Sequence, residues 1–187
     1  MTRRGTLLAL LAPDELAERV ADIDLARLRE HGFEGLILDV DNTLTPWASC
    51  EMDEATEAWV RQAKQEFRVC LLSNSVRGKR MRALAEKLDL PGVSAWGIGR
   101  KPLRRGFLRA LSATGTAPEK TVMVGDQLLA DVLGGNRLGM HTIWVKRIRK
   151  REFITTRVGR VLERLCAERV RRAGFMPERQ RTTANDG

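Results

Sequence analysis

Cysteine and histidine are scarce in this chain of 187 residues, and neither is arranged for chemistry. The three cysteines, Cys50, Cys70 and Cys166, are odd in number, scattered and never in a C-x-x-C pair. That argues against a disulfide framework or a zinc site and fits a reducing, cytosolic setting. The two histidines, His31 and His141, have no companions for metal binding, and His141 reads as a strand residue. Long apolar runs are missing too. The N-terminal Leu7-Leu8-Ala9-Leu10-Leu11 is cut off at Pro13, too short for a signal peptide or for the roughly 20 apolar residues of a membrane span. The expectation is a soluble, cytoplasmic chain whose N-terminal leucines either dock on the core or touch a bilayer. Repeats and low-complexity tracts are also absent. The 43% of apolar residues suffices for one core with appendages.

Acidic residues are outnumbered, and a net charge of +9 with a pI near 10.3 suggests an anionic partner. The excess is local. Between Lys146 and Arg172 eleven Lys/Arg stand against three Glu, a charge of +8, while the chain before it is close to neutral. The basic surface is therefore a C-terminal appendage. Within it Val158, Val161, Leu162 and Leu165 fall at helical spacing with arginines around them, which suits an interfacial helix on an anionic membrane. Packing of that stripe on the core is the alternative. RNA binding is the weaker one, since Phe153 is the stretch's one aromatic and nothing is interleaved for stacking.

The order of elements indicates fold class. Residues 14–30 follow a charge-rich helical pattern behind Pro13. The branched apolar run Gly35-Leu36-Ile37-Leu38 reads as a buried strand. A flap from Thr45 to Met52 leads to a helix over 53–66 capped by Asp53. Then come a strand at 68–72, a helix over 77–88, a strand from Val93 to Trp96, a helix over 102–113, a strand at 121–124, a helix over 128–138 and a strand at 141–145. Alternation of this kind predicts an α/β three-layer, Rossmann-like sandwich with a five-stranded, mainly parallel sheet. Trp59, Trp96 and Trp144 read as core, whereas Trp47 lies in the flap. The divisions expected are an N-terminal segment and helix over 1–34, a core over 35–148, a basic amphipathic helix over 149–175 and a frayed tail over 176–187.

Each chemically notable group sits just after a strand: Asp39, Asp41 and Thr43, then Ser73 and Asn74, then Lys101, then Asp126 and Asp131. In a parallel sheet those carboxyl ends share one edge, where such folds place their ligands. Clustered carboxylates need a proton, a cation or a positive partner. They suit Mg²⁺, and the lysine and hydroxyls suit a phosphate.

Asp39-Val40-Asp41-Asn42-Thr43, Ser73, Lys101-Pro102 and Gly125-Asp126-Gln127-Leu128-Leu129-Ala130-Asp131 resemble, in order, the four motifs of the haloacid-dehalogenase-like phosphatases. The Leu-Asp-x-Asp-Asn-Thr-Leu opening, the Leu-Ser-Asn turn and Val-Gly-Asp-Gln point to the YqeG-like branch, which is related to mitochondrial phosphatidylglycerophosphate phosphatases. The resemblance spans about residues 7–148. It implies that Asp39 attacks phosphorus, that Asp41 serves as acid and then base, and that Ser73 and Lys101 hold phosphoryl oxygens, with Thr43 and Asn74 in the substrate site. Mg²⁺ would be held by Asp39, Asp126 and the Asp41 backbone carbonyl. Asp131 would orient Lys101 or a metal-bound water, or serve as no more than a helix cap. Gln127 departs from the acidic residue many relatives carry there.

Cap domains, common in that family, have no room here. The 32 positions from Asp41 to Ser73 and the 28 from Ser73 to Lys101 are used up by the flap, helices and strands already assigned. An open site suits a phosphate presented on something large, such as a lipid headgroup. The expected function is thus an Mg²⁺-dependent phosphomonoester hydrolase acting on phosphatidylglycerophosphate, peripheral at the inner face of the plasma membrane. The alternatives are a phosphatase for a nucleotide, sugar phosphate or phosphoprotein, and an RNA- or ribosome-associated binding protein with an idle site.

Overall fold

In the computed structural model, residues 6–74, 78–148 and 157–177 are described, without the side chains of Leu7 and residues 157–163. The strands are β1 (Glu15–Ala17), β2 (Gly35–Leu38), β3 (Arg68–Ser73), β4 (Gly92–Ser94), β5 (Thr121–Gly125) and β6 (His141–Val145). The helices are α1 (Leu7–Leu10), α2 (Leu25–Glu30), α3 (Glu54–Glu66), α4 (Gly78–Leu88), α5 (Arg104–Thr114), α6 (Leu133–Asn136) and α7 (Arg157–Arg172).

All strands pair in parallel, in the order β1-β6-β5-β2-β3-β4. Strand side chains alternate faces, and the two cores follow that period. Leu36, Leu38, Val69, Leu71, Val122 and Val124 pack with residues of α2, α3 and α4. Ile37, Cys70, Leu72 and Met123 pack with Phe107, Ala110 and Leu111 of α5. Burial on both faces explains why the central strands read as unbroken apolar runs. Local signals start two of the helices: Asp53 accepts from Thr56 N at 2.9 Å ahead of α3, as expected, and Asp24 accepts from Arg27 N at 3.0 Å ahead of α2.

The sheet has six strands where five were expected. The extra one, β1, lies inside the stretch read as a helix over 14–30, which instead holds a strand, a single 3₁₀ turn at Val20–Asp22 and the short α2. The charges that looked like a solvated helix face have partners across the chain. The Asp14 carboxylate accepts from Thr142 N at 2.9 Å, and Glu15 lies 2.8 Å from His141 Nε2 and pairs with Arg27. Asn136 fixes the segment ahead of β1 by donating to the carbonyls of Leu10 and Ala12 at 2.9 and 2.8 Å.

Two more expectations change. β4 ends at Ser94, so Trp96, expected in the core, falls beyond the strand and is exposed. The helix expected over 128–138 is shorter. It is a π-helical turn, Leu128–Val132, followed by the one-turn α6. At the C-terminus Val170 is fully buried beside Leu11, Leu128 and Val132, so this part of α7 packs on the core. Phe175 and Met176, expected at the start of the tail or beside it, join the same cluster. Residues 149–156 and 178–187, and the side chains of Val158, Val161 and Leu162, lie outside the described residues. No described helix is long and apolar enough to cross a membrane.

Close approach of α6 to α5 depends on one glycine. A Cβ at Gly134 would stand 2.3 Å from ring carbons of the fully buried Phe107. Gly134→Ala should therefore cost about 1–3 kcal/mol of overpacking, read as a lowered midpoint in urea unfolding with an unchanged slope.

Candidate active site

The strands to either side of β2 are β3 and β5, so the chain reverses its direction of travel across the sheet there. Such a switch point opens a crevice at the carboxyl ends of the strands. Asp39 leaves β2 at that point, its amide donating to Val124 O of β5 at 2.9 Å. Asp126 follows β5 directly, so the two acids flank the crevice.

Lys101 lies at the centre. Its Nζ is 2.5 Å from Asp39 Oδ1, 2.7 Å from Asp131 Oδ1 and 3.0 Å from the Leu72 carbonyl, with all three side chains buried. The loop carrying it is held by Asn74, which accepts from Lys101 N at 2.7 Å and donates to Lys101 O at 3.2 Å. The sequence placed Asn74 among the substrate contacts; both ends of its amide engage the lysine backbone. Asp131 faces Lys101, and its second oxygen accepts from Gln127 N at 3.0 Å. Gly125 makes this possible, since a Cβ there would lie 2.3 Å from Asp131 Oδ2.

Asp41 faces away from this cluster toward the flap and α4. Its carboxylate accepts from Ala48 N at 3.1 Å and Ser73 Oγ at 3.3 Å, and pairs with Arg80 at 2.5 Å. Arg80 also donates to Ser49 O at 2.6 Å, tying the flap to α4. On the other side, Thr43 Oγ1 lies 3.5 Å from Asp126 Oδ1. Asp126 Oδ2 pairs with Arg147 Nε at 2.5 Å, and Trp144 Nε1 donates to the Asp126 carbonyl at 2.8 Å.

Among the described residues, three buried carboxylates here face two cations, Lys101 and Arg147, one positive charge too few. Burial pushes Asp39 up to about 6, with Lys101 pulling against it and Asp131 adding to the rise. Burial also raises Asp126 to about 6, helped by Asp39 and opposed by Arg147. Asp131 is raised by burial against the pull of Lys101. Burial works against the Lys101 charge, but Asp131 and Asp39 outweigh it and hold the ammonium above its ordinary value. The lysine stays charged, and the shortage of positive charge falls on the acids.

That shortage fits a divalent cation. One oxygen from each of Asp39, Asp126 and Asp131 lies within 4.8 Å of the others. Asp39 Oδ2 is buried and has no hydrogen-bond partner among the described residues. A hard cation prefers such an all-oxygen donor set. Since Asp131 is engaged by Lys101 and Gln127, Asp39 and Asp126 are the better ligands.

Known proteins resemble this chain in sequence and fold. Residues 98–152 match the family described as HAD-hydrolase-like. The chain is 34% identical over 165 residues to the probable phosphatase YqeG of Bacillus subtilis, spanning 88% of this chain and 94% of that protein. It belongs to the haloacid-dehalogenase-like phosphatases. Phosphatidylglycerophosphate phosphatase 1 of the Chlamydomonas reinhardtii chloroplast is 30% identical over 147 residues, covering 74% of this chain and about half, 54%, of the algal one. The fold is shared with an uncharacterized Listeria monocytogenes protein, at TM-score 0.51 and 17% identity over 73% of this chain and 99% of the other.

Within this phosphatase site, Arg80 and Arg147 are the residues that reading the sequence missed. Arg80 sits in the first turn of α4, the helix that starts beside the second motif, and Arg147 lies two residues past the end of β6. Both positions adjoin the strand edge that carries the acids. Arg147 was counted with the basic tail, which hid its part in the site. Arg100 and Arg104, which flank Lys101 in the sequence, are exposed.

The raised carboxyls make a sign-definite prediction. Groups that bind protons more tightly when folded lose stability as pH rises from their ordinary 3.8 through about 6. Lys101 titrates far above this window and does not offset the loss. Saturating Mg²⁺ should therefore raise Tm more near pH 7 than near pH 4, and Asp126→Asn should lose most of that gain. Calorimetry showing an equal gain at both pH values would contradict the assignment.

Proposed function

We propose that this phosphatase hydrolyses phosphatidylglycerophosphate to phosphatidylglycerol and inorganic phosphate, with Mg²⁺ as its metal and a phosphoryl group carried on Asp39. The observation behind the mechanism is the buried Asp39 carboxylate, paired on one oxygen with Lys101 and without a hydrogen-bond partner on the other among the described residues.

Asp39 attacks phosphorus and forms a P–O bond while the bond to the glycerol oxygen breaks. The departing oxygen keeps the electron pair and takes a proton from Asp41. Water then attacks the phosphoryl group and gives a proton to Asp41, releasing Asp39 and phosphate. Arg80 pairs with Asp41 and holds its carboxylate in place beside the flap. Lys101 and Ser73 bind phosphoryl oxygens, and Asn74 positions Lys101 through its backbone. Thr43 faces Asp126 and steadies that carboxylate. Mg²⁺, held by Asp39, Asp126 and the Asp41 carbonyl, would offset the repulsion between the dianion and the carboxylates.

The lipid assignment draws on the name of the algal relative and on the open site. Among the described residues the segments between the motifs hold the flap, α3, β3, α4, β4 and one 3₁₀ turn, with no cap domain. Without a closing cap, the site suits a phosphate held at a surface better than a small metabolite that must be enclosed.

With purified protein in Mg²⁺, phosphate release from phosphatidylglycerophosphate in mixed micelles should exceed that from a soluble aryl phosphate. Asp39→Asn should abolish both, and Asp41→Asn should lower kcat on the lipid by about 10²–10⁴-fold. Turnover of aryl esters without the lipid would leave the chemistry standing and remove the substrate.

A further inference from the structure

The loop between β4 and α5 delivers Lys101 to the site, and its outer surface has the opposite character to its buried lysine. Trp96 is 67% exposed, Ile98 71% and Leu103 48%. They account for half of the large apolar side chains exposed among the described residues, crowded into eight positions. The turn stands clear of the body, since a Cβ on Gly97 would meet nothing within 4 Å. Trp47, 42% exposed, lies in the flap that follows β2 on the same edge of the sheet.

Along the chain, charge in this loop and in α5 has one sign. Residues 90–118 contain four arginines and one lysine and neither Asp nor Glu. Lys101 is buried in the site, while Arg100, Arg104, Arg105 and Arg109 are exposed. Large apolar side chains set among exposed arginines match a bilayer bearing anionic headgroups: tryptophan and aliphatic tips enter the interface and the guanidiniums stay with the phosphates. Ile98 and Leu103 offer no flat face for stacking bases, which disfavours RNA.

We infer that the β4–α5 loop, through Trp96, Ile98 and Leu103 with Arg100, Arg104 and Arg105, docks the protein on an anionic lipid bilayer with its catalytic edge toward the membrane. The loop, not the basic C-terminal helix, is then the main anchor, and docking brings a headgroup phosphate to the edge where Lys101 and Asp39 meet. This rests on the reading of the substrate as membrane-borne, yet it is tested without substrate.

Co-sedimentation with vesicles of phosphatidylcholine, alone or mixed with phosphatidylglycerol, measures docking with no phosphomonoester present. Wild-type protein should bind the mixed vesicles and little of the neutral ones. Trp96→Ser/Ile98→Ser should weaken binding by about tenfold, and Arg104→Glu/Arg105→Glu should remove the preference for phosphatidylglycerol. Both variants should keep wild-type turnover of a soluble aryl phosphate and wild-type circular dichroism. Arg169→Glu/Arg171→Glu/Arg172→Glu in α7 should change binding less than either. Equal binding of the loop variants and wild type, a larger loss from the α7 variant, or a dimer that Trp96→Ser/Ile98→Ser converts to monomer would each overturn the proposal. Vesicle binding without lipid hydrolysis would leave the docking loop standing and sink the substrate instead.

Discussion

One buried ammonium holds the site together. Lys101 contacts carboxylates from two different strand ends, Asp39 after β2 and Asp131 after β5, and bonds the Leu72 carbonyl of β3 between them. Without it, those acids would stand unpaired in a dry interior, an arrangement costing several kcal/mol. With it, the cluster is still one positive charge short among the described residues, a deficit that suits a divalent cation. Asp39 and Asp126, both raised to about 6, are unfavourably charged at neutral pH until a cation joins them. A phosphate dianion deepens the need. Under the proposed mechanism, metal and substrate would thus support each other's binding at one electrostatic defect.

The fold supplies this arrangement with little spare material. Parallel strands bring their carboxyl ends to one edge, and the reversal of travel at β2 opens the gap between Asp39 and Asp126. Gly125 gives Asp131 room to reach the lysine, and Asn74 fixes the lysine's backbone. Arg80 joins Asp41, the flap and α4 in one contact set. The Asp41 carboxylate accordingly points to the flap and α4 and not to Lys101, which engages Asp39 and Asp131.

Much of this was legible in the sequence because it rests on local signals. Apolar runs ending in polar residues located the central strands and the four motifs, and Asp53 marked the start of α3. What escaped is non-local. β1 is three residues long, and its evidence is pairing with Ile143, Trp144 and Val145 of β6, more than a hundred positions away. Arg80 and Arg147 carry no spacing that separates them from the chain's other arginines; their place is set by where α4 begins and β6 ends. Trp96 was read as core because its strand seemed to continue, whereas β4 ends two residues earlier and turns it outward. That misreading hid the feature that gives the catalytic edge its apolar surface.

The central claim is that phosphorus is transferred to Asp39. Intact-protein mass spectrometry of Asp41→Asn, quenched in acid after mixing with Mg²⁺ and an aryl phosphate, tests it directly. An aryl oxide leaves without help from a proton donor, while hydrolysis of the intermediate still lacks its base, so one phosphoryl group should accumulate and map by peptide sequencing to Asp39. No adduct should form in the Asp39→Asn/Asp41→Asn double variant. An unmodified Asp41→Asn chain that still releases phosphate, or an adduct on any other residue, would contradict the account.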